Sequence, residues 1–69
     1  MNVREDYRKS YDAVHSAIQE IKGKTITPNE YFRIAKTVGV REEDANGMAW
    51  SMANNGSLEI TVDWKLKIL

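Results

Sequence analysis

Apolar residues return every three or four positions along the first third of the chain. Tyr7, Tyr11, Val14, Ile18 and Ile21 stand at steps of four, three, four and three, and Ala13 and Ala17 broaden the stripe. That period predicts an α-helix over residues 4–22, with Gly23 placed to end it. Its other side carries Arg8, Lys9, Asp12, Ser16, Gln19 and Glu20 and belongs in water. A second helix is marked at both ends. Thr27 is its N-cap, Pro28 takes the first helical position, where a missing N–H costs nothing, and Glu30 completes a capping box. Ile26 and Tyr31 flank the cap as a hydrophobic staple. Tyr31, Ile34, Ala35 and Val38 form the buried stripe, and Gly39 stops the helix after about three turns. Residues 24–26 predict a short strand ahead of it. A third helix follows over residues 41–54. Glu42, Glu43 and Asp44 suit the positive end of its dipole, and Ala45, Met48, Ala49 and Met52 fall at i, i+3, i+4 and i+7. Gly47 inside it costs roughly 1 kcal/mol against alanine, which points to close packing there. Asn54, Asn55 and Gly56 end it.

The period then changes to two. Leu58, Ile60, Val62, Trp64, Leu66 and Ile68 share one parity, with Glu59, Thr61, Asp63, Lys65 and Lys67 on the other. Alternation over this length means β-structure, as one long strand or as a hairpin. A hairpin about Asp63 pairs Leu58 with Ile68, Glu59 with Lys67, Ile60 with Leu66 and Thr61 with Lys65. Aliphatic then meets aliphatic and opposite charges face each other, which favours the hairpin. Its loop is Val62-Asp63-Trp64, although no glycine marks a tight turn. A single long strand has no evident partner in so short a chain.

Sixty-nine residues make one domain, residues 1–69, near the lower limit for a self-supporting core. The composition, 42% hydrophobic and 29% charged, is that of a globular rather than a disordered chain. With no cysteine there is no disulfide and no thiolate metal site. No apolar run approaches the roughly 20 residues of a membrane span. The start "MNVREDYRKSYD" is too charged for a signal peptide, so a cytoplasmic protein without membrane contact is expected. His15 is the only histidine, and no Ser-His-Asp grouping, phosphate-cradling loop or pair of carboxylates in a recognisable catalytic spacing appears. We therefore expect neither an enzyme nor a cofactor, metal or small-molecule substrate. Ten basic against ten acidic residues leave no basic surplus, so any nucleic-acid binding has to come from local patches.

Helix, short strand, helix, Gly-containing turn, helix, Asn-Gly and hairpin occur here in the order of a winged helix-turn-helix domain. The stretch "TPNEYFRIAKTVGVREEDANGMAWSMANNGSLEITVDWKLKIL" resembles that family's scaffold helix, turn, recognition helix and wing, and covers about two-thirds of the chain. The resemblance implies an α+β fold, a three-helix winged helix-turn-helix with a C-terminal β-hairpin. It also implies double-stranded DNA as partner, with helix 41–54 in the major groove and the hairpin on the adjacent backbone. The positions it nominates are Arg41, Asn46, Trp50 and Ser51 on the third helix, Arg33 and Lys36 on the second, and Lys65 and Lys67 on the wing. Arginine suits guanine and asparagine adenine, while the other cations meet phosphates. The chain departs from the family in one respect: Arg-Glu-Glu-Asp makes the first turn of the reading helix net negative. That departure favours a different function for the same scaffold. Trp50 and Trp64 would anchor a protein partner, and the hairpin edge would add a strand from a partner or from a second copy in a homodimer.

Overall fold

The computed structural model describes residues 3–69, with side chains from Asp6 onward. Helix α1 (Val3–Gln19) is followed by strand β1 (Thr25–Ile26), helix α2 (Pro28–Thr37), helix α3 (Glu42–Asn54) and strands β2 (Leu58–Ile60) and β3 (Leu66–Ile68). The fold is α+β. Its antiparallel sheet has the order β1-β3-β2, so the last strand lies between the first two, an arrangement compatible with the winged-helix layout.

Local chemistry accounts for most of the boundaries. Thr27 holds extended backbone, and its Oγ1 accepts from the Glu30 N–H at 3.2 Å, one of the donors a helix start leaves unpaired. Glu30 itself stays exposed in water, so only the threonine half of the expected capping box is made. Ile26 and Tyr31 are both buried across that cap. Past α2, Gly39 adopts φ of +79°, a conformation cheap only for glycine. There its N–H reaches Lys36 O at 3.0 Å and that of Val40 reaches Ala35 O at 3.0 Å. This pair of bonds is a Schellman motif, with Val40 buried behind it. Gly56 does the same for α3, where Ser57 N–H returns to Met52 O at 2.9 Å.

The hairpin has the expected register: Leu58 faces Ile68, Glu59 faces Lys67 and Ile60 faces Leu66. Leu58, Leu66 and Ile68 are buried, while Thr25, Lys67 and Glu59 form an outward row across the three strands.

The core joins Val14 and Ile18 of α1, Tyr31 and Ala35 of α2, the α3 stripe Ala45, Met48, Ala49 and Met52, and the inner face of the sheet. Tyr31 also donates its hydroxyl to Ala45 O at 2.6 Å, tying α2 to α3 inside the core. Burial pushes its phenol well above the ordinary tyrosine range, with smaller contributions from Tyr7 and Tyr11. His15 is a docking residue of α1: its ring stacks on Tyr11 at 6.3 Å, and Nε2 lies 3.3 Å from Ser57 Oγ. Asn55 Nδ2 donates to the Tyr11 hydroxyl at 2.8 Å beside it.

Several details differ from the sequence expectation; Val38, expected in the buried stripe of α2, is its exposed C-cap residue. α1 stops at Gln19, because Ile21 and Lys22 N–H bond three residues back, to Ile18 and Gln19, and tighten the chain into a turn. Gly23 then gives its N–H to Ile68 O at 2.8 Å, so β3 captures the segment. Tyr7, first of the apolar stripe, is 45% exposed, and the packed part of α1 begins at Tyr11. Nothing lies within 4 Å of a Cβ placed on Gly47, which faces solvent rather than a close neighbour. Among the described residues, no helix is long and apolar enough to cross a membrane.

Candidate functional site

Every residue nominated from the sequence is exposed: Arg33, Lys36, Arg41, Asn46, Trp50, Ser51, Trp64, Lys65 and Lys67. The fold draws most of them to one side of the molecule. Arg33 and Lys36 project from the solvent side of α2, one helical step apart, and Arg41 stands at the N-cap position of α3, across the Gly39 turn, without a side-chain capping bond. These three cations line one open depression, together with Asn29, Phe32 and one carboxylate, that of Glu42. Arg41 Nη2 stands 3.6 Å from Asp44 Oδ2, and both groups are well exposed, so the pair adds little stability and only partly neutralises the arginine. Arg33 and Lys36 have no ion-pair partner among the described residues.

A second depression is apolar. It lies between α3 and the hairpin, has a volume of about 130 Å³, and is bordered by Trp50, Trp64, Phe32, Ile60 and Asn46. Between the two depressions runs a shallow shelf of Glu42, Glu43, Asn46 and Phe32. Phe32 borders all three surfaces and is the hinge of the site. Sequence reasoning passed over it. The signal was present, because Phe32 is a large aromatic that falls off the α2 stripe of Tyr31, Ile34, Ala35 and Val38 and so had to face outward or sideways.

The turn of the hairpin explains how Trp64 reaches the cleft. Trp64 N–H bonds to Thr61 O at 3.0 Å and Thr61 N–H to Lys65 O at 2.9 Å, closing a three-residue loop. Such a loop places its third residue in the left-handed region, a position that usually goes to glycine. Here Trp64 occupies it at φ of +62°, the one non-glycine residue with positive φ among those described. The cost is on the order of 1–3 kcal/mol. Trp64 remains 67% exposed, so its own burial does not offset that cost. Side chains make the rest of the turn. The Thr61 hydroxyl donates to Asp63 Oδ1, and Thr61 Oγ1 accepts from Lys65 N–H at 3.0 Å. The Thr61 hydrogen bond holds the Asp63 carboxyl below its usual range, assisted by Lys65, whose Nζ is 3.6 Å from Asp63 Oδ2. Val62 at the tip is fully exposed.

Trp50 is 50% exposed and lines the cleft from α3. Ser51 is exposed on the same helix but borders neither depression, and Lys67 lies on the outer row of the sheet. The nominated set therefore separates into a cationic group of Arg33, Lys36 and Arg41, a cleft group of Asn46, Trp50 and Trp64, and three outliers, since Lys65 borders no depression either. No group of three or more His, Asp or Glu side chains that could hold a metal ion occurs among the described residues. Comparison with protein-family models, with curated proteins and with solved structures finds no match to this chain.

Proposed function

We propose that the chain is a winged-helix DNA-binding domain of a small transcriptional regulator or accessory protein. In this reading α3 enters the major groove of double-stranded DNA and the β2–β3 hairpin serves as the wing. The observation that carries it is the convergence of Arg33, Lys36 and Arg41 on one open depression at the start of α3. Cations clustered there can hold a phosphate backbone while Asn46, on the next turn, reaches toward base edges. Lys65 adds a contact from the wing. The zero net charge fits a weak, localised contact rather than a broad basic surface.

Titration of the protein onto random duplex DNA across a salt series tests this. Affinity should fall as salt rises, and Arg33→Ala and Lys36→Ala should each flatten the log–log slope by about 1. Affinity indifferent to salt, or none at low salt, overturns the reading.

A second reading has its own support in the apolar cleft between Trp50 and Trp64. Two half-exposed tryptophans beside one small cleft also suit the anchor of a protein partner or of a second copy of this chain. Gel filtration and sedimentation of the wild type against Trp64→Ala test it: self-association lost in the variant supports this reading, and a monomer in both cases counts against a homodimer.

A further inference from the structure

We propose, resting on the nucleic-acid reading above, that the cleft between α3 and the wing is a pocket for one unstacked nucleobase. The domain then prefers duplex ends that carry a short single strand. At about 130 Å³ the cleft is close in size to cavities that take a single benzene ring. Trp50 lines it from α3, Trp64 from the wing turn and Phe32 from α2, so aromatic side chains, each with a flat π-face, come from three separate elements. Bases of any sequence stack on such faces.

The polar groups at the cleft select among flat ligands. Tyr31 borders the cleft, but its hydroxyl is engaged by Ala45 O. Asn46 thus brings the side-chain acceptor at the cleft, beside the indole N–H donors of Trp50 and Trp64, and its amide offers a donor and an acceptor together. A base edge matches both, whereas an aliphatic side chain matches neither. Charge complementarity agrees. Lys65 follows Trp64 in the chain, and across Phe32 lies the depression of Arg33, Lys36 and Arg41, where the sugar-phosphate backbone finds cations. The Glu42–Glu43 shelf repels phosphate, so the strand runs along α2 and turns its base inward.

Two otherwise unrelated features follow from this. A chain of zero net charge needs a source of nucleic-acid affinity that does not depend on counterion release, and stacking provides one. An exposed tryptophan at a position suited to glycine is kept for what it presents at the cleft.

Fluorescence anisotropy tests the pocket with two labelled duplexes of the same sequence, one blunt and one with a short single-stranded extension, at low salt. The extension should tighten wild-type binding by about tenfold. Trp64→Gly, which keeps the turn because glycine is at home there, should lose that gain, so that it binds the two duplexes alike. Trp64→Phe should keep most of the gain. Equal binding of the two duplexes by the wild type overturns the pocket and leaves duplex binding standing, as does a gain that survives in Trp64→Gly. Binding of neither duplex removes the pocket and the DNA reading together, and leaves the cleft to a protein side chain.

Discussion

Trp64 sets φ at +62° while two-thirds of its side chain stays in water, so the backbone cost is not repaid by the core. Glycine at this position would relieve the strain, although it would also loosen the unfolded chain. We expect Trp64→Gly to stabilise the domain by about 1 kcal/mol, raising the thermal midpoint by roughly 4–8 °C for a chain of this size. A lower midpoint in calorimetry would mean that the indole packs for stability. Tyr31 makes the opposite case, a residue whose polar atom serves the core. Its hydroxyl is buried and donates to Ala45 O, so Tyr31→Phe should cost about 1 kcal/mol in urea unfolding at neutral pH. Its folded pKa lies above the unfolded value, so this contribution is complete below about pH 10 and is lost as pH rises beyond it. The wild type should therefore show an alkaline loss of stability that the phenylalanine variant lacks. Neither residue's role was legible beforehand. The hairpin register had placed Trp64 last in its three-residue loop, yet nothing in its type announces the left-handed turn it takes there. Tyr31 reads as apolar stripe, and its hydroxyl partner lies on another helix.

The elements that were readable are those whose causes are local. Thr27, Pro28 and Gly39 stand within a dozen residues of one another and bound α2 by side-chain capping, a fixed φ and a positive φ. The hairpin register was legible because only one pairing puts the aliphatic residues opposite each other and Glu59 opposite Lys67. The end of α1 was not, because its apolar period continues through Ile21. What stops it there is a turn followed by a hydrogen bond from Gly23 to Ile68, 45 residues away. Gly47 misled for a related reason: a glycine inside a helix suggests a close neighbour, and here it faces water. The local account of α2 carries a direct test. Removing the Thr27 hydroxyl frees the Glu30 N–H at the helix start, so Thr27→Ala should destabilise the domain by about 1 kcal/mol. Far-UV circular dichroism through thermal unfolding measures it, and an unchanged midpoint would show that water caps the helix equally well.

At the scale of the whole molecule, the distribution of charge matters more than its total. The three cations of the α2–α3 depression and the carboxylates of the α3 first turn lie side by side, with Glu42 lining both the cationic depression and the shelf. Summed over the chain they cancel, which is why composition said so little about a partner. On the proposed DNA-binding reading they act separately: Arg33 and Lys36 are placed to meet phosphate, while Glu42 and Glu43 oppose it at the start of α3. The same carboxylates favour the positive end of the α3 dipole, each contributing roughly 0.3–1 kcal/mol to the fold. The double substitution Glu42→Gln and Glu43→Gln separates these effects. It should lower unfolding stability by about 1 kcal/mol and raise affinity for blunt duplex DNA by about tenfold at low salt, since like-charge contacts across an interface are costly. The gain should shrink as added salt screens the repulsion. If affinity falls instead, the carboxylates accept hydrogen bonds from base amines and the acidic turn belongs to the reading surface. An unchanged affinity would place the start of α3 away from the DNA, leaving Arg33, Lys36 and the wing to carry the contact.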